Sequence, residues 1–352
     1  MRVKMGKTIS VFNNKGGVGK TTIIWNLAVS LADKNKNILL IDFDPQCNLS
    51  IACIGDSEFA NLLSSSDEFP FGKTIKAFAF PYIHQNRYGE VYTVDPKKKC
   101  KNGVLHIVPG DFWLNNLSDI LNVGNDVVNG AGLYRFILPT LITQRAEKEN
   151  NITYDYVLID LPPSFNTLVR ASLYCSDYFI VPCTPDLFSA YCVGLIGEVL
   201  PNFVTDWELG YNRYIENNVR DEILKSKGKP RFGGWVFNGF DTRKQKEVGA
   251  DALHHLTIEE SINNKLINNL RKIESYDTVP NFVTEKSVAN VEDLNVMASD
   301  SIFQNIPISY LSEASPSDKI GNRRQWATNQ IDLMNKMVGE YKKLADYIIA
   351  NF

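Results

Sequence analysis

The stretch from Asn13 to Thr22, N-N-K-G-G-V-G-K-T-T, constrains the fold of this chain more than any other. It follows the apolar run 9–12 and precedes the amphipathic segment 23–32, which is the order of a strand, a glycine-rich turn and a helix. Glycines allow a backbone to approach an anion closely, and the N–H groups at the start of a helix point toward it. The stretch therefore predicts a phosphate-binding loop.

The polar side chains of this loop suit a nucleotide. Lys20 can reach the β- and γ-phosphates, and the hydroxyl of Thr21 can bind Mg²⁺. Asn14 stands where the usual phosphate-loop pattern has its first glycine, and a second lysine, Lys15, comes directly before Gly16. We expect nucleotide contacts from Gly16, Gly17, Val18, Gly19, Lys20, Thr21 and Thr22.

Composition excludes several classes of protein. The 352 residues are 44% hydrophobic and 22% charged, as in ordinary globular proteins. A net charge of −3 provides no overall basic field, so any nucleic-acid contact would need a local patch. The six cysteines form no C-x-x-C pair, which argues against a zinc ribbon. The N-terminus lacks an apolar signal core and no apolar run reaches about 18 residues, so we expect a cytoplasmic protein.

Two further motifs place carboxylates directly after apolar runs. The run 38–41 ends in D-F-D-P-Q, which begins at Asp42 and includes Asp44. The run 154–159 ends at Asp160, which L-P-P-S follows. Continuous apolar runs are typical of parallel strands buried on both faces, and the carboxyl ends of such strands form the ligand side of a sheet. We therefore expect all three carboxylates beside the glycine-rich loop.

Together these motifs resemble those of the ParA/MinD family of ATPases, and those of ParA-type partition ATPases most closely. The resemblance implies a doubly wound, mostly parallel α/β sheet flanked by helices, with ATP and Mg²⁺ as ligands and ATP hydrolysis as the reaction. It implies three catalytic residues: Lys20 on its own nucleotide, Lys15 on the nucleotide of a dimer partner, and Asp44 on the attacking water. Thr21, Asp42 and Asp160 would organise the Mg²⁺.

Other positions match this family less closely. Asn238 ends a predicted strand, 233–238, and aligns with a family position that hydrogen-bonds the adenine. Asp186 stands where the family often has glutamate, near the nucleotide and the dimer interface. Cys47 stands where the family commonly has glycine, which would alter the local turn without changing the carboxylates.

The resemblance implies one ParA-like domain over residues 1–352, with insertions at about 55–104 and 202–232 and a possible helical elaboration at 250–300. We predict the last strand at 302–310. A polar, flexible loop is expected in the second insertion, and it is either simply solvated or in contact with a phosphate backbone.

The first insertion contains many aromatic residues. We predict a helix at 74–80 and a hairpin that pairs 90–94 with 104–108. Aromatic and basic residues in such a mixture can stack on bases, but they more often form a small local core, and we favour the core.

The function that the resemblance implies is a molecular switch that forms a homodimer on ATP. Family dimers typically bind DNA non-specifically and work with a centromere-binding or cargo adaptor protein. Candidate DNA contacts in this chain are basic: Lys225, Lys227, Lys229, Arg231, Arg243, Lys244, Arg323 and Arg324.

Two alternatives stay open. One is an ATP-dependent switch subunit of a larger assembly, such as a mobile-element or defence module, with the insertions as docking sites. The other is a MinD-like membrane-cycling ATPase. The predicted terminal helix, 326–349, has an apolar stripe and an only mildly basic polar face, which favours packing on the sheet over membrane binding.

Overall fold

A computed structural model describes residues 6–121, 127–219, 221–243, 246–277, 279, 286–318 and 325–352. Its strands are β1 Lys7–Val11, β2 Asn37–Asp42, β3 Val104–Val108, β4 Tyr156–Asp160, β5 Tyr178–Cys183, β6 Arg231–Phe240, β7 Thr242–Arg243, β8 Lys246–Glu247 and β9 Ala289–Glu292. Seven of them form one parallel sheet in the order β3-β2-β4-β1-β5-β6-β9, while β7 and β8 form a small antiparallel pair.

The central strands are buried on both faces, as the apolar runs predicted. Every residue of β4 and β5 is buried, because helices cover the sheet on each side. β4 lies between β1 and β2, and the Cα atoms of Asp42 and Asp160 are direct partners in its register with β2. The predicted doubly wound α/β fold is confirmed.

Helices pack on both faces of the sheet. Within the described residues they are α1 Lys20–Ala32, α2 Asn48–Ile54, α3 Asp56–Leu63, α4 Lys76–Gln85, α5 Leu114–Leu121, α6 Leu133–Phe136, α7 Leu138–Asn150, α8 Thr167–Cys175, α9 Leu187–Asn217, α10 Glu222–Lys225, α11 Gly249–Ser261, α12 Asn268–Leu270, α13 Val296–Gln304, α14 Ile308–Leu311 and α15 Thr328–Asn351. A π-helical turn, Ile262–Ile267, joins α11 to α12.

The terminal helix α15 packs against α1 with a buried stripe. Met334, Tyr341, Leu344 and Ile348 on this stripe are fully buried. The stripe is therefore part of the core of the protein, as the mildly basic polar face predicted.

Residues 187–216 of α9 are long and apolar enough to cross a membrane by length and composition alone. The most apolar window of this segment is half buried within the fold, and α9 packs along α11 and the π-helical turn. Gly197 allows this close contact, since a Cβ there would lie 2.9 Å from the Cα of Leu266. The packing indicates a core helix.

The predicted last strand was wrong. Residues 302–310 form the end of α13 and most of α14, and Asn305 between them has a left-handed φ of 56°. The last strand is instead β9, which lies inside the region predicted as a helical elaboration and pairs with β6. Only four residues long and partly polar, β9 carries no apolar run that sequence patterns could detect.

The predicted flexible loop within 202–232 was also mostly wrong. α9 continues through Asn217, and its buried Leu200, Val204 and Trp207 follow the helical spacing of a core-facing stripe. After the short α10, the irregular chain before β6 spans 226–230. Whether this region is an insertion relative to the family stays a prediction.

In the first insertion, the predicted helix is present as α4, but the predicted hairpin is not. Residues 104–108 pair in parallel with β2, and Val94 makes one isolated antiparallel bridge to Ile107. The aromatic rings pack on one another: the centroid of Phe80 lies 4.8 Å from that of Phe71 and 5.6 Å from that of Trp113. This packing agrees with a small local core.

Candidate nucleotide-binding site

The glycine-rich loop connects β1 to α1 at the carboxyl edge of the sheet. Gly17 and Gly19 have φ angles of 73° and 79°, which L-residues with a side chain adopt only with strain. A Cβ on Gly17 would meet nothing within 4 Å, so the space above the loop is open. A Cβ on Gly19 would lie 2.5 Å from the amide nitrogen of Asn238. Gly17 therefore leaves space for a ligand, whereas Gly19 allows close packing against Asn238.

Lys20 lies inside the loop. Its Nζ donates to the carbonyl oxygens of Asn13 and Lys15, both at 3.3 Å, and the residue is buried. Burial lowers the pKa of Lys20, while the nearby carboxylates of Asp160 and Asp44 act in the opposite direction. The two long hydrogen bonds leave the ammonium group directed at the space that the loop encloses.

Two fully buried carboxylates lie side by side beneath the loop. Asp160 accepts a 2.7 Å hydrogen bond from the hydroxyl of Thr21, and Asp42 accepts bonds of 2.8 and 2.6 Å from the backbone N–H and hydroxyl of Ser50. Burial raises the pKa of Asp42 to about 8 and that of Asp160 to about 7, and neighbouring carboxylates add to both effects. Paired buried carboxylates of this kind favour a nearby cation. Ser50 was missed by sequence reasoning, because nothing local marks a serine in a helix as a partner of a strand-end aspartate.

Asp44 lies in the turn that follows β2. It accepts a 2.9 Å hydrogen bond from the backbone N–H of Gln46, and burial raises its pKa while Lys20 acts against this rise. Cys47 closes the turn with a left-handed φ of 56°. That conformation explains the glycine expected at this position, because glycine adopts it without the steric cost that cysteine has.

These residues fit Mg²⁺ and a nucleoside triphosphate. Open space above Gly17, the ammonium of Lys20 and two buried carboxylates supply the contacts that phosphate and its cation need. Among the described residues, no cluster of three or more His, Cys, Asp or Glu side chains could hold a metal unaided. Mg²⁺ is commonly held by few protein groups together with phosphate and water, so Thr21 and Asp160 would hold it with the nucleotide. When bound, Mg²⁺ neutralises charge on the phosphates.

Lys15 leaves the loop in another direction. Its Nζ forms an ion pair with Asp186 and donates to the hydroxyls of Thr184, at 2.6 Å, and Ser189, at 3.4 Å. Asp186 also caps α9, since it accepts a 2.9 Å bond from the backbone N–H of Ser189. Burial acts to raise the pKa of Asp186, but the hydrogen bonds from Lys15, Thr184 and Ser189 outweigh it and lower the pKa. Sequence reasoning singled out Asp186 and missed the two hydroxyls.

Asn238 contacts the loop itself. Its side-chain amide donates a 3.0 Å hydrogen bond to the carbonyl oxygen of Val18. Thr22 lies in the first turn of α1, and its carbonyl accepts a 2.9 Å bond from the side chain of Asn26. The residues expected to contact the nucleotide therefore lie together at the carboxyl edge.

The candidate DNA contacts divide between opposite edges of the sheet. Lys225, Lys227, Lys229 and Arg231 come immediately before or at the start of β6, which places them toward the amino edge. Arg243 follows the carboxyl end of β6 and is exposed. Lys244, Arg323 and Arg324 lie outside the described residues.

Comparison with known proteins agrees with this geometry. The AAA domain family model matches residues 6–207, which include the loop and the carboxylates of Asp42, Asp44 and Asp160. An uncharacterized protein of Methanocaldococcus jannaschii is 36% identical over 250 residues, which are 70% of this chain and 78% of that protein. The chromosome partitioning protein ParA of Caulobacter vibrioides is 30% identical over 183 residues, 52% of this chain and 58% of that protein.

Solved structures resemble the whole fold. The structure of pnob8 ParA has a TM-score of 0.60 at 18% identity and covers 98% of both chains. The structure of Cyanothece McdA in complex with ATP has a TM-score of 0.55 at 16% identity and covers 96% of both chains. At these identities the likeness concerns the fold alone.

Proposed function

This chain belongs to the ParA/MinD-like family of P-loop ATPases, and on that premise we propose that it is an ATP-hydrolysing switch whose two copies close on Mg²⁺ and ATP. One observation carries the proposal: the two lysines of the loop diverge. Lys20 lies inside its own loop, whereas Lys15 extends away from the loop to Asp186. A lysine directed away from its own phosphate cradle is suited to the nucleotide of a second subunit.

Each residue of the site has a proposed part. Lys20 binds the phosphates, while Thr21 and Asp160 hold Mg²⁺ and the neighbouring Asp42 organises its water ligands. Asp44 orients the attacking water, and its raised pKa brings the carboxyl group closer to the range in which it can accept a proton. Charge brought by Lys15 from the second subunit stabilises the negative charge of the transferring phosphoryl group. Asn238, whose side chain bonds the carbonyl of Val18 in the loop, contacts the adenine.

Two substitutions with opposite expected results test this proposal. Asp44→Ala should retain ATP and accumulate as a stable dimer, because hydrolysis no longer releases the γ-phosphate. Lys15→Ala should bind ATP as a monomer but neither dimerise nor hydrolyse it. Light scattering after size exclusion measures the dimer, and phosphate release measures hydrolysis. Normal hydrolysis by Lys15→Ala would contradict the role of the second subunit.

We further propose that the dimer serves DNA partition or cargo positioning and binds DNA without sequence preference, together with a centromere-binding or cargo adaptor. The ParA protein of Caulobacter vibrioides supports this cargo class. The division of basic residues between two edges makes the proposal testable. If ATP-driven closure creates the DNA surface, Arg243→Ala should weaken an ATP-dependent, salt-sensitive gel shift on arbitrary duplex DNA more than Lys225→Ala does.

A wild-type protein that gives no shift at low salt with ATP would exclude the DNA proposal and favour the switch subunit of a larger assembly. The buried stripe of α15 argues against a MinD-like membrane cycle, since its apolar side chains already pack on the sheet. A cytoplasmic location stays a prediction.

A further inference from the structure

Exposed apolar side chains occur in two short segments at the starts of the neighbouring helices α9 and α11. Among the described residues, two short segments, 187–191 and 248–256, contain six large hydrophobic side chains that are between 39% and 64% exposed. We call them the α9–α11 patch: Leu187, Phe188, Tyr191, Val248, Leu253 and Leu256. Several large apolar side chains exposed in one region commonly mark an interaction site, because leaving them in water is unfavourable.

The two helices that carry the α9–α11 patch pack against each other. The hydroxyl of Ser261 donates a 2.6 Å hydrogen bond to the carbonyl of Ala190, and a Cβ on Gly194 would lie 3.0 Å from the side chain of Lys265. Both contacts advance in the same direction along α9 and along α11 with its π-helical continuation, so the two helices run side by side and parallel. Residues 253–256 precede Ser261 by five to eight residues, about 8–12 Å along the helix, and therefore lie just beyond the N-terminal end of α9.

The α9–α11 patch lies next to Lys15, the lysine that we propose contacts the nucleotide of a second subunit. Leu187 directly follows Asp186, the residue that holds Lys15. Both α9 and α11 begin after the carboxyl ends of β5 and β6, so the patch lies on the same edge of the sheet as the glycine-rich loop. In a two-fold dimer that closes over this edge, the same surface of each subunit faces its partner.

We propose that the α9–α11 patch is the apolar part of the interface with a second copy of this chain, buried when two copies close on nucleotide. This inference rests on the proposed function and extends it to α11, which lies outside the residues that the family model matches. The partner is a second copy of this chain, because the patch begins next to Asp186, which holds Lys15, and the proposed function requires Lys15 to reach the nucleotide of a second subunit. Burial of these side chains stabilises the closed dimer, while the nucleotide contacts make closure depend on ATP.

The test introduces charge into the patch away from the nucleotide site. The variant Leu253→Glu/Leu256→Glu is compared with Leu209→Glu, a matched control that changes another exposed leucine on α9 about 33 Å farther along the helix. Sedimentation velocity with a non-hydrolysable ATP analogue measures the dimer. A fluorescent ATP analogue measures nucleotide binding by the monomer, and circular dichroism checks folding.

We expect the double variant to bind nucleotide like the wild type and to dimerise on the order of 100-fold more weakly or worse, with Leu209→Glu unchanged. The milder Leu253→Ser/Leu256→Ser should weaken the dimer to a lesser degree. A double glutamate variant that dimerises like the wild type would overturn the patch proposal and leave the proposed function intact. If the wild type itself binds nucleotide but stays monomeric, the proposed function fails, and the patch proposal fails with it. A serine variant that dimerises fully would also overturn the patch proposal, because apolar burial would then contribute nothing.

Discussion

Lys20 and Lys227 lie toward opposite edges of the same sheet, and their ammonium groups are held differently. Lys20, at the carboxyl edge, is buried and makes two long bonds of 3.3 Å to carbonyls of its own glycine-rich loop. Lys227, toward the amino edge, donates a 2.8 Å bond to the carbonyl of Cys175, next to a 2.8 Å bond from the N–H of Gly228 to the carbonyl of Tyr174. One lysine is available to a ligand, and the other joins the segment before β6 to the end of α8.

This difference shows why a count of basic residues does not identify a binding surface. Three lysines between 225 and 229 look like a phosphate contact in the sequence, yet Lys229 also bonds a backbone carbonyl, that of Glu274. To contact a phosphate, Lys227 would have to give up a short bond of 2.8 Å, whereas Lys20 would give up only long bonds of 3.3 Å.

Lys20→Ala should abolish nucleotide binding, since it removes the lysine whose ammonium group lies inside the loop. We expect the affinity for a fluorescent ATP analogue to fall by a factor of about 1000 or more, as loss of a hydrogen-bonded charge in a buried site costs several kcal/mol. Lys227→Ala is the matched control from the opposite edge. Intact binding by Lys20→Ala would show that the loop does not bind phosphate.

Asn238→Ala should weaken nucleotide binding about tenfold, because it removes one neutral hydrogen bond that holds the carbonyl of Val18 and with it the shape of the loop. The control is Asn202→Ala, which removes an exposed asparagine from α9. Equilibrium titration with ATP and with GTP measures both the affinity and the base preference. Equal losses for the two nucleotides indicate a role in loop geometry, whereas a loss confined to ATP indicates adenine contact. An unchanged affinity for both would contradict any role at the site.

Lys227→Ala should lower the free energy of unfolding by about 1–2 kcal/mol and leave nucleotide affinity unchanged. The bond to Cys175 involves a charged donor but lies near the surface, where water partly replaces it. Urea unfolding in the absence of nucleotide measures the change. If Lys227→Ala lowered the free energy of ATP binding by more than the free energy of unfolding, Lys227 would contribute to nucleotide binding, and the difference between the two edges would be contradicted.

Local patterns made most of the candidate nucleotide site predictable. The loop from Asn13 to Thr22 is continuous in sequence, Asp42 and Asp160 each follow an apolar run that predicts a buried strand, and Asp44 comes two residues after Asp42. β9 escaped prediction because a four-residue edge strand has too few apolar positions to establish a period. The extension of α9 beyond residue 200 was missed although its buried side chains follow helical spacing, because a polar outer face dominated the composition.

The glycine-rich loop and the apolar runs that precede Asp42 and Asp160 could be recognised from sequence, because each is a pattern within one short segment. The contacts of Lys15 could be seen only in the folded chain. Its partners Thr184 and Ser189 are 169 and 174 residues away, and no local pattern records a contact across that separation. The same holds for the α9–α11 patch, since its two helices are distant in sequence and Gly194 and Gly197 allow α9 to approach the π-helical turn that continues α11. Spacing along the chain specifies elements, whereas packing between elements specifies which side chains meet and which stay exposed.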